Sequence, residues 1–422
     1  MEIQTVKSGV SLCFVKNSLF KASLLTVRFL LPLNKNEITE NTMAAGIISE
    51  CGAEYPTPEA LQLALSALYG AEISCGCEKS GDTQMITLSL KCLSDRYGIG
   101  GEECFKKATD IFRGLIFKPR FENGKFLTED VLRARRRQAD LIKGEINDKR
   151  IYAKNRMEEI MFRGEVYGIP KNGYEERANV ATPEILLEAY KRLVQKATVR
   201  ITFVGDEIPS YVRELAEAFP EAERIPPAVP TYNAPAETRE IHEKMDVTQG
   251  KLVMGFRTSQ LGGDRETLAV ALAVDIFGGG PYSKLFSQVR EKQSLCYYCS
   301  ARAIRKKGYM VVESGVEDAN AERAKNEILA QLEKIKQGDF SDELIDFSKR
   351  SIADSLNSAV DSIASIDYWY GARFSEENPL SPMEMAELIL GVTREKIIDS
   401  ARKITPDTFY FLESEGGEGR ND

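Results

Sequence analysis

The stretch GGGPYSKLFSQVREKQSLCYYCSA, residues 278–301, decides how the rest of the chain is read. Three glycines open it, and a missing β-carbon lets a second backbone approach closely. Ser283 then stands where a helix cap is needed, ahead of Leu285, Phe286 and Val289 at the spacing of a buried helix face. The helix is predicted to end around residues 292–294. From Leu295 the pattern alternates. Leu295, Tyr297, Cys299 and Ala301 fall on one side, and Cys296, Tyr298 and Ser300 on the other, which is the period of a strand.

Arg290 and Tyr297 therefore straddle a helix-to-strand turn, with their polar ends directed into one space. A guanidinium with five donors and a phenol with one suit the carbonyl oxygens of an extended peptide. The same groups can stabilise a developing oxyanion. The competing structural reading is a plain turn, with Arg290 paired to a nearby glutamate and Tyr297 in a core. A phosphate loop is disfavoured, because no Lys-Ser/Thr follows the glycines at the required spacing.

Outward from this stretch, residues 252–256, 297–303 and 309–313 read as strands, as do residues 24–31 and 85–90. Leu61, Leu65 and Leu68 mark a helix behind Thr57-Pro58. Ile328, Leu332 and Ile335 mark another, starting near Asn320. Strands cluster and helices follow in long runs. The fold class expected is α+β, two halves each with a mixed or antiparallel sheet covered by helices, rather than a doubly wound parallel sheet.

Residues 219–239 carry five prolines and few aliphatics, an extended linker in character. The division expected is an N-terminal domain over 1–222, a linker over 223–239 and a C-terminal domain over 240–422. The halves look duplicated. Thr182-Pro-Glu leads a helix into the apolar run 199–204, and Thr393-Arg-Glu leads another into 409–412. In each a threonine stands at the cap position, and Pro183 occupies the first turn, where a missing N–H is harmless.

The 422 residues have the composition of an ordinary globular protein, 43% hydrophobic and 28% charged. A net charge of −8 argues against nucleic acid as the main partner. The longest apolar run, residues 267–277, is too short to cross a membrane and contains Asp275. With no export signature at residues 1–17, the expected location is cytoplasmic and the eight cysteines are expected to be free thiols.

The pattern G-G-G-x-x-S-K-L-F-x-x-V-R-E-x-x-x-L-x-Y resembles the C-terminal-domain signature of the insulinase/pitrilysin family of zinc peptidases, to which the processing peptidases belong. Gly278, Gly279, Gly280, Ser283, Leu285, Phe286, Arg290, Glu291, Leu295 and Tyr297 all fall in register. The resemblance implies duplicated α+β halves of about 200 residues. It also assigns substrate contacts to Arg290 and Tyr297, beside the glycine-rich turn of Gly278, Gly279, Gly280 and Ser283.

The same resemblance exposes a departure. Active members carry H-x-x-E-H on a helix in the first half, two histidines holding zinc and a glutamate acting as base, with a distant glutamate as further ligand. This chain has one histidine, His242, in its second half. The matching helix falls before Pro56, with Thr42, Ala45 and Gly46 at the motif positions, and residues 133–138 (RARRRQ) occupy the region of the distant ligand without a carboxylate. No metal site and no catalytic residue is therefore expected in this chain alone.

Cys296 and Cys299 form C-x-x-C, but i and i+3 on a regular strand face opposite ways, so chelation is not expected. His242 is assigned no role. The arginine run reads as a solvated helix face, with pairing to an acidic partner as the alternative. The glycine-rich tail, residues 413–422, is expected to be disordered.

What the resemblance implies is a non-catalytic subunit of a heterodimeric zinc metallopeptidase. It would lend Arg290 and Tyr297 to a homologous partner that holds the zinc and cleaves a peptide or unfolded protein. The alternative is an inactive peptide-binding or assembly protein of the same fold, with Arg290 and Tyr297 vestigial. A homodimer is the other assembly expected.

Overall fold

Residues 22–32, ASLLTVRFLLP, are apolar almost without a break, which suits a strand buried on both faces. In the computed structural model this segment is the middle of a sheet. The structure describes residues 1–415 apart from 234, 236, 260–264, 266 and 377. Residues 416–422, most of the expected disordered tail, and two positions of the proline-rich linker lie outside the described residues.

The first sheet contains β1 (Glu2–Lys7), β2 (Val10–Lys16), β3 (Ala22–Pro32), β4 (Glu72–Ser80), β5 (Thr83–Leu93) and, after a small hairpin of β6 (Phe121–Glu122) and β7 (Lys125–Phe126), β8 (Thr198–Gly205). Its order is β1-β2-β8-β3-β5-β4. The second contains β9 (Arg239–Met245), β10 (Gly250–Arg257), β11 (Cys296–Ile304), β12 (Tyr309–Val316) and β13 (Thr405–Ser414), in the order β9-β13-β10-β12-β11. With β1 set aside, the two orders are the same. Each has one parallel pair at the same place, β2 with β8 and β9 with β13, and antiparallel neighbours elsewhere. The duplication read from two threonine-capped helices is thus a duplication of sheet topology. Thr182 and Thr393 both cap, their hydroxyls accepting from the backbone N–H of Ile185 at 3.3 Å and of Lys396 at 3.5 Å.

The chain divides into two units, and neither is continuous in sequence. The first takes Met1–Lys143, Ile169–Val229 and Ala359–Pro379, and the second Gly144–Gly168, Pro230–Ser358 and Leu380–Asp422. In the first unit one face of the sheet carries a large apolar core, with Leu25, Val27 and Phe29 against Ile47, Phe105 and Phe112. The opposite face receives the helix Ile363–Gly371. Arg28 projects from β3 there, 2% exposed, and is held by both carboxylate oxygens of Asp367 and by the hydroxyl of Thr26. Gly371 has no side chain because the Arg28 guanidinium fills the space a β-carbon would need.

The second unit repeats the device with different residues. The helix Lys149–Met161 lies on β10 and β13, burying Met157 and Met161 with Val253, Val311 and Tyr410. Arg257, 1% exposed, donates to Asp407 at 2.8 Å and to Glu165 at 2.9 Å, and its guanidinium lies 4.4 Å from the centre of the Phe162 ring. In each unit a buried arginine on the central strand thus fastens a segment that arrives from the other half of the sequence.

Candidate functional site

The helix expected from the sequence to hold the degenerate zinc-motif positions is Ile38–Glu50, packed between the first sheet and the helix Pro183–Lys191, with Arg137 of the helix Thr128–Gly144 reaching it. Thr42, Ala45 and Gly46 lie on it. The Thr42 hydroxyl donates to the Ile38 carbonyl at 2.8 Å and accepts from Gln84 at 3.2 Å. Ala45 is buried in the core. A β-carbon on Gly46 would overlap the guanidinium of Arg137, which pairs with Glu50 one turn further along. Arg133 stands 3.5 Å from Glu50 and 2.8 Å from Asp130. The arginine run is therefore not one solvated face. Arg133 and Arg137 bond to carboxylates of the same unit, Arg135 donates to the Ala181 carbonyl at 2.7 Å, and Arg136 is the member that faces outward.

These residues do not fit a zinc ion. A threonine committed to a carbonyl, an alanine and a glycine offer no ligand set, and a guanidinium fills the space over the glycine. Nor do the cysteines of the edge strand β4 rescue it. Cys77 donates to the Lys171 carbonyl at 3.5 Å, and Cys75 stands exposed. Among the described residues there is no cluster of three His, Cys, Asp or Glu side chains able to hold a metal.

In the second unit the helix Leu268–Gly278 ends in the glycines. None of Gly278, Gly279 and Gly280 has a left-handed backbone. Gly278 is needed for contact instead, since a β-carbon there would lie 2.6 Å from the Ala301 nitrogen of β11 and 2.8 Å from Leu285. Ser283 is fully buried and its hydroxyl accepts from the Phe286 N–H at 3.4 Å, at the entry to the turn Leu285–Lys292. That turn is a π-helix, a wider winding often found at functional sites. Arg290 leaves it half-exposed, its guanidinium 4.7 Å from the centre of the Phe286 ring and 3.5 Å from Glu291.

Tyr297 is reached by an irregularity that strict alternation misses. Cys296 pairs with Val316 and Tyr298 with Gly315, so Tyr297 is an extra residue in β11, a β-bulge. The bulge turns Tyr297 outward, 62% exposed, where its hydroxyl donates to Glu317 at 3.3 Å. It also changes the facing of everything before it. Cys296, Cys299 and Ala301 share the buried face, whereas a regular strand would set Cys296 opposite Cys299. The neighbouring Cys299 thiol first, then Ser314 and the Arg290 charge, bring Cys296 down to about 7 against the opposing effect of burial, while Cys299 rises. Sequence reasoning missed this pair because nothing in the residue types announces a one-residue bulge.

His242 lies on β9, its ring stacked 4.4 Å from that of Phe411, with Glu413 at 2.6 Å. No helix among the described residues is long and apolar enough to cross a membrane.

Comparison with known proteins follows the same lines. A family model described as the peptidase M16 inactive domain matches residues 181–352. The chain is 29% identical, over 99% of its own length and 98% of the other's, to a Bacillus subtilis protein named probable inactive metalloprotease YmfF. The crystal structure of a conserved protein from Enterococcus faecalis superposes with a TM-score of 0.90 at 26% identity, covering 99% of each chain. A peptidase M16 inactive domain from Pseudomonas fluorescens superposes with a TM-score of 0.80 over 99% of this chain and 100% of that one. At 19% identity that last likeness is one of fold alone. The sheet orders, the signature around Arg290 and Tyr297, and these matches lead to one conclusion: residues 181–352 match the peptidase M16 inactive domain, and the chain as a whole is similar to M16-like proteins while lacking the two-histidine zinc motif.

Proposed function

We propose that this chain is the non-catalytic subunit of a heterodimeric zinc metallopeptidase of the cytoplasm. A homologous partner holds the zinc and activates water. Arg290 and Tyr297 of this chain orient the scissile carbonyl of a peptide or unfolded segment and stabilise its oxyanion. The peptide binds as an added strand, through main-chain hydrogen bonds at a sheet edge. β4 and β11 are the end strands of the two sheets and offer such edges.

One observation carries this reading. The support is a contrast: Arg137 lies over Gly46, the position the resemblance assigns to the zinc motif, while the residues of the Arg290–Tyr297 pattern are present, with Tyr297 exposed. Among the described residues Arg290 stands 3.5 Å from Glu291, and the Tyr297 hydroxyl donates to Glu317 at a long 3.3 Å.

The test is to co-purify the tagged chain and identify its companions by mass spectrometry. Peptide cleavage by the resulting pair is then compared with that of pairs carrying Arg290→Ala and Tyr297→Phe. A stoichiometric companion bearing H-x-x-E-H, with activity falling at least tenfold in the variants while the pair stays assembled, supports the reading. Unchanged activity in both variants leaves an assembly or scaffold role, with Arg290 and Tyr297 vestigial.

A further inference from the structure

β11 is an end strand of its sheet, and among the described residues it pairs with β12 alone. Its bulge sets Cys296 opposite Val316 and Cys299 opposite Ser314. Val316 and Ser314 are two residues apart on a regular strand, so the two cysteines occupy neighbouring places on one face, about 7 Å apart along the strand. Without the extra residue they would be three regular positions apart, about 10 Å, and on opposite faces. About 7 Å between Cα atoms is the upper end of what a disulfide spans, and about 10 Å is beyond it.

The turn Leu285–Lys292 packs on β11, and Ala301, on the face the cysteines share, lies against Gly278 and close to Leu285. Cys296 is 9% exposed and Cys299 6%, whereas Cys13, Cys51, Cys92 and Cys104 are at 3% or less. Cys296 is thus the more open of the pair to a reagent the size of water. The Cys299 thiol, then Ser314 and Arg290, favour its thiolate, the form that reacts with peroxides, while burial disfavours the thiolates of Cys13, Cys51 and Cys92. Two thiols are only half of a tetrahedral metal site, and no third His, Cys, Asp or Glu joins them among the described residues.

We propose that Cys296 and Cys299 form a peroxide-reactive dithiol that closes to a reversible disulfide. With hydrogen peroxide as oxidant, the Cys296 thiolate attacks one peroxide oxygen. An S–O bond forms, the O–O bond breaks, and the departing hydroxide takes up a proton and leaves as water. Sulfur is oxidised to a sulfenic acid and the peroxide is reduced. The Cys299 thiol then gives up its proton, and its sulfur attacks that of Cys296. The S–S bond forms, the S–O bond breaks and a second water leaves. An edge strand already bent by a bulge can make the small adjustment that closure needs. A disulfide at the limit of its geometry is of the readily reduced kind, so a dithiol reopens it by exchange. The ring encloses Tyr297, the residue that the bulge turns outward. The chemistry requires no partner chain and stands independently of the role proposed for Arg290 and Tyr297.

The test treats the full chain, alone, with hydrogen peroxide in about tenfold molar excess. The protein is then unfolded, alkylated with iodoacetamide and digested with trypsin, which releases residues 293–302, QSLCYYCSAR, with both cysteines on one peptide. The expected result is that this peptide loses two hydrogens and escapes alkylation at least about tenfold faster than any other cysteine is oxidised, and that dithiothreitol restores both thiols. In Cys299→Ser the bond cannot close, and dimedone should capture a sulfenic acid on Cys296. In Cys296→Ser, Cys299 should keep its thiol. The wild-type chain decides the matter even if a variant misfolds. An unmodified peptide, earlier oxidation of the exposed Cys75, a sulfinic or sulfonic acid on Cys296 with Cys299 still free, or a disulfide between two chains in place of the internal one overturns the proposal.

Discussion

The guanidinium of Arg137 lies over Gly46 and pairs with Glu50, so a cationic side chain stands on the helix turn where the sequence leads one to expect the degenerate zinc-motif position. The missing ligand, the small residue and the arginine belong together. A glycine inside a helix is disfavoured by about 1 kcal/mol relative to alanine, and here the space it leaves is used.

That dependence can be measured. Gly46→Ala should lower stability by about 1–3 kcal/mol, because the β-carbon must displace a guanidinium already held by Glu50. In an Arg137→Ala background the same change should cost nothing or stabilise by up to about 1 kcal/mol, since only helix propensity remains. A double-mutant cycle in urea reads the coupling, and additive effects would show that the two residues are independent.

The buried arginines make a second prediction. Asp367→Asn leaves Arg28 without its counter-charge where the pair is 2% and 7% exposed, and should destabilise the fold by about 3–5 kcal/mol. Glu165→Gln should cost less. Arg257 would keep Asp407, although Lys307, 2.9 Å from Glu165, loses a partner too. Chemical denaturation of the two variants compares them, and equal losses would sink the ranking.

Among the eight thiols, Cys296 alone is brought down, to about 7, while burial raises Cys13 and Cys51 to about 11 and Cys92 to about 12. Alkylation by iodoacetamide, followed by peptide mapping, should therefore mark Cys296 ahead of the other buried cysteines, with a rate midpoint near pH 7. Cys299→Ser should change that midpoint, because the Cys299 thiol is the largest influence on it. Labelling with a midpoint above pH 8.5 would contradict the lowering of Cys296 by its neighbours.

His242 offers a smaller effect of predictable sign. Glu413, and then Glu240, hold its pKa above the ordinary histidine value. A raised folded pKa contributes stability that is complete below the unfolded value and lost as pH rises through the folded one. Thermal stability should thus fall slightly from pH 6 to 8 in the wild type, and His242→Gln should flatten that part of the profile. The ring is 44% exposed, so solvent screening keeps the change to a fraction of a kcal/mol.

Much of the architecture was legible in local pattern. The unbroken apolar run of β3 marked a central strand, Thr57 and Thr182 marked helix starts, and Ile328, Leu332 and Ile335 marked one buried face of the helix Ala321–Gln337. The arginine run was misread because a helical wheel shows which residues share a face, not which neighbouring helix meets it. The alternation through residues 295–301 failed at a single bulge, since one extra residue reverses every facing before it.

By itself, the sequence determined the α+β class, the duplication and the absence of a two-histidine zinc motif, because periodicity, caps and a count of histidines are properties of the chain taken in order. Only the tertiary structure decided that Arg137 fills the space over Gly46 and that Cys296 and Cys299 share a face. Each of these depends on where elements distant in sequence, or one irregular residue pair, come to rest. Side-chain packing sets that, and no local window of residues encodes it.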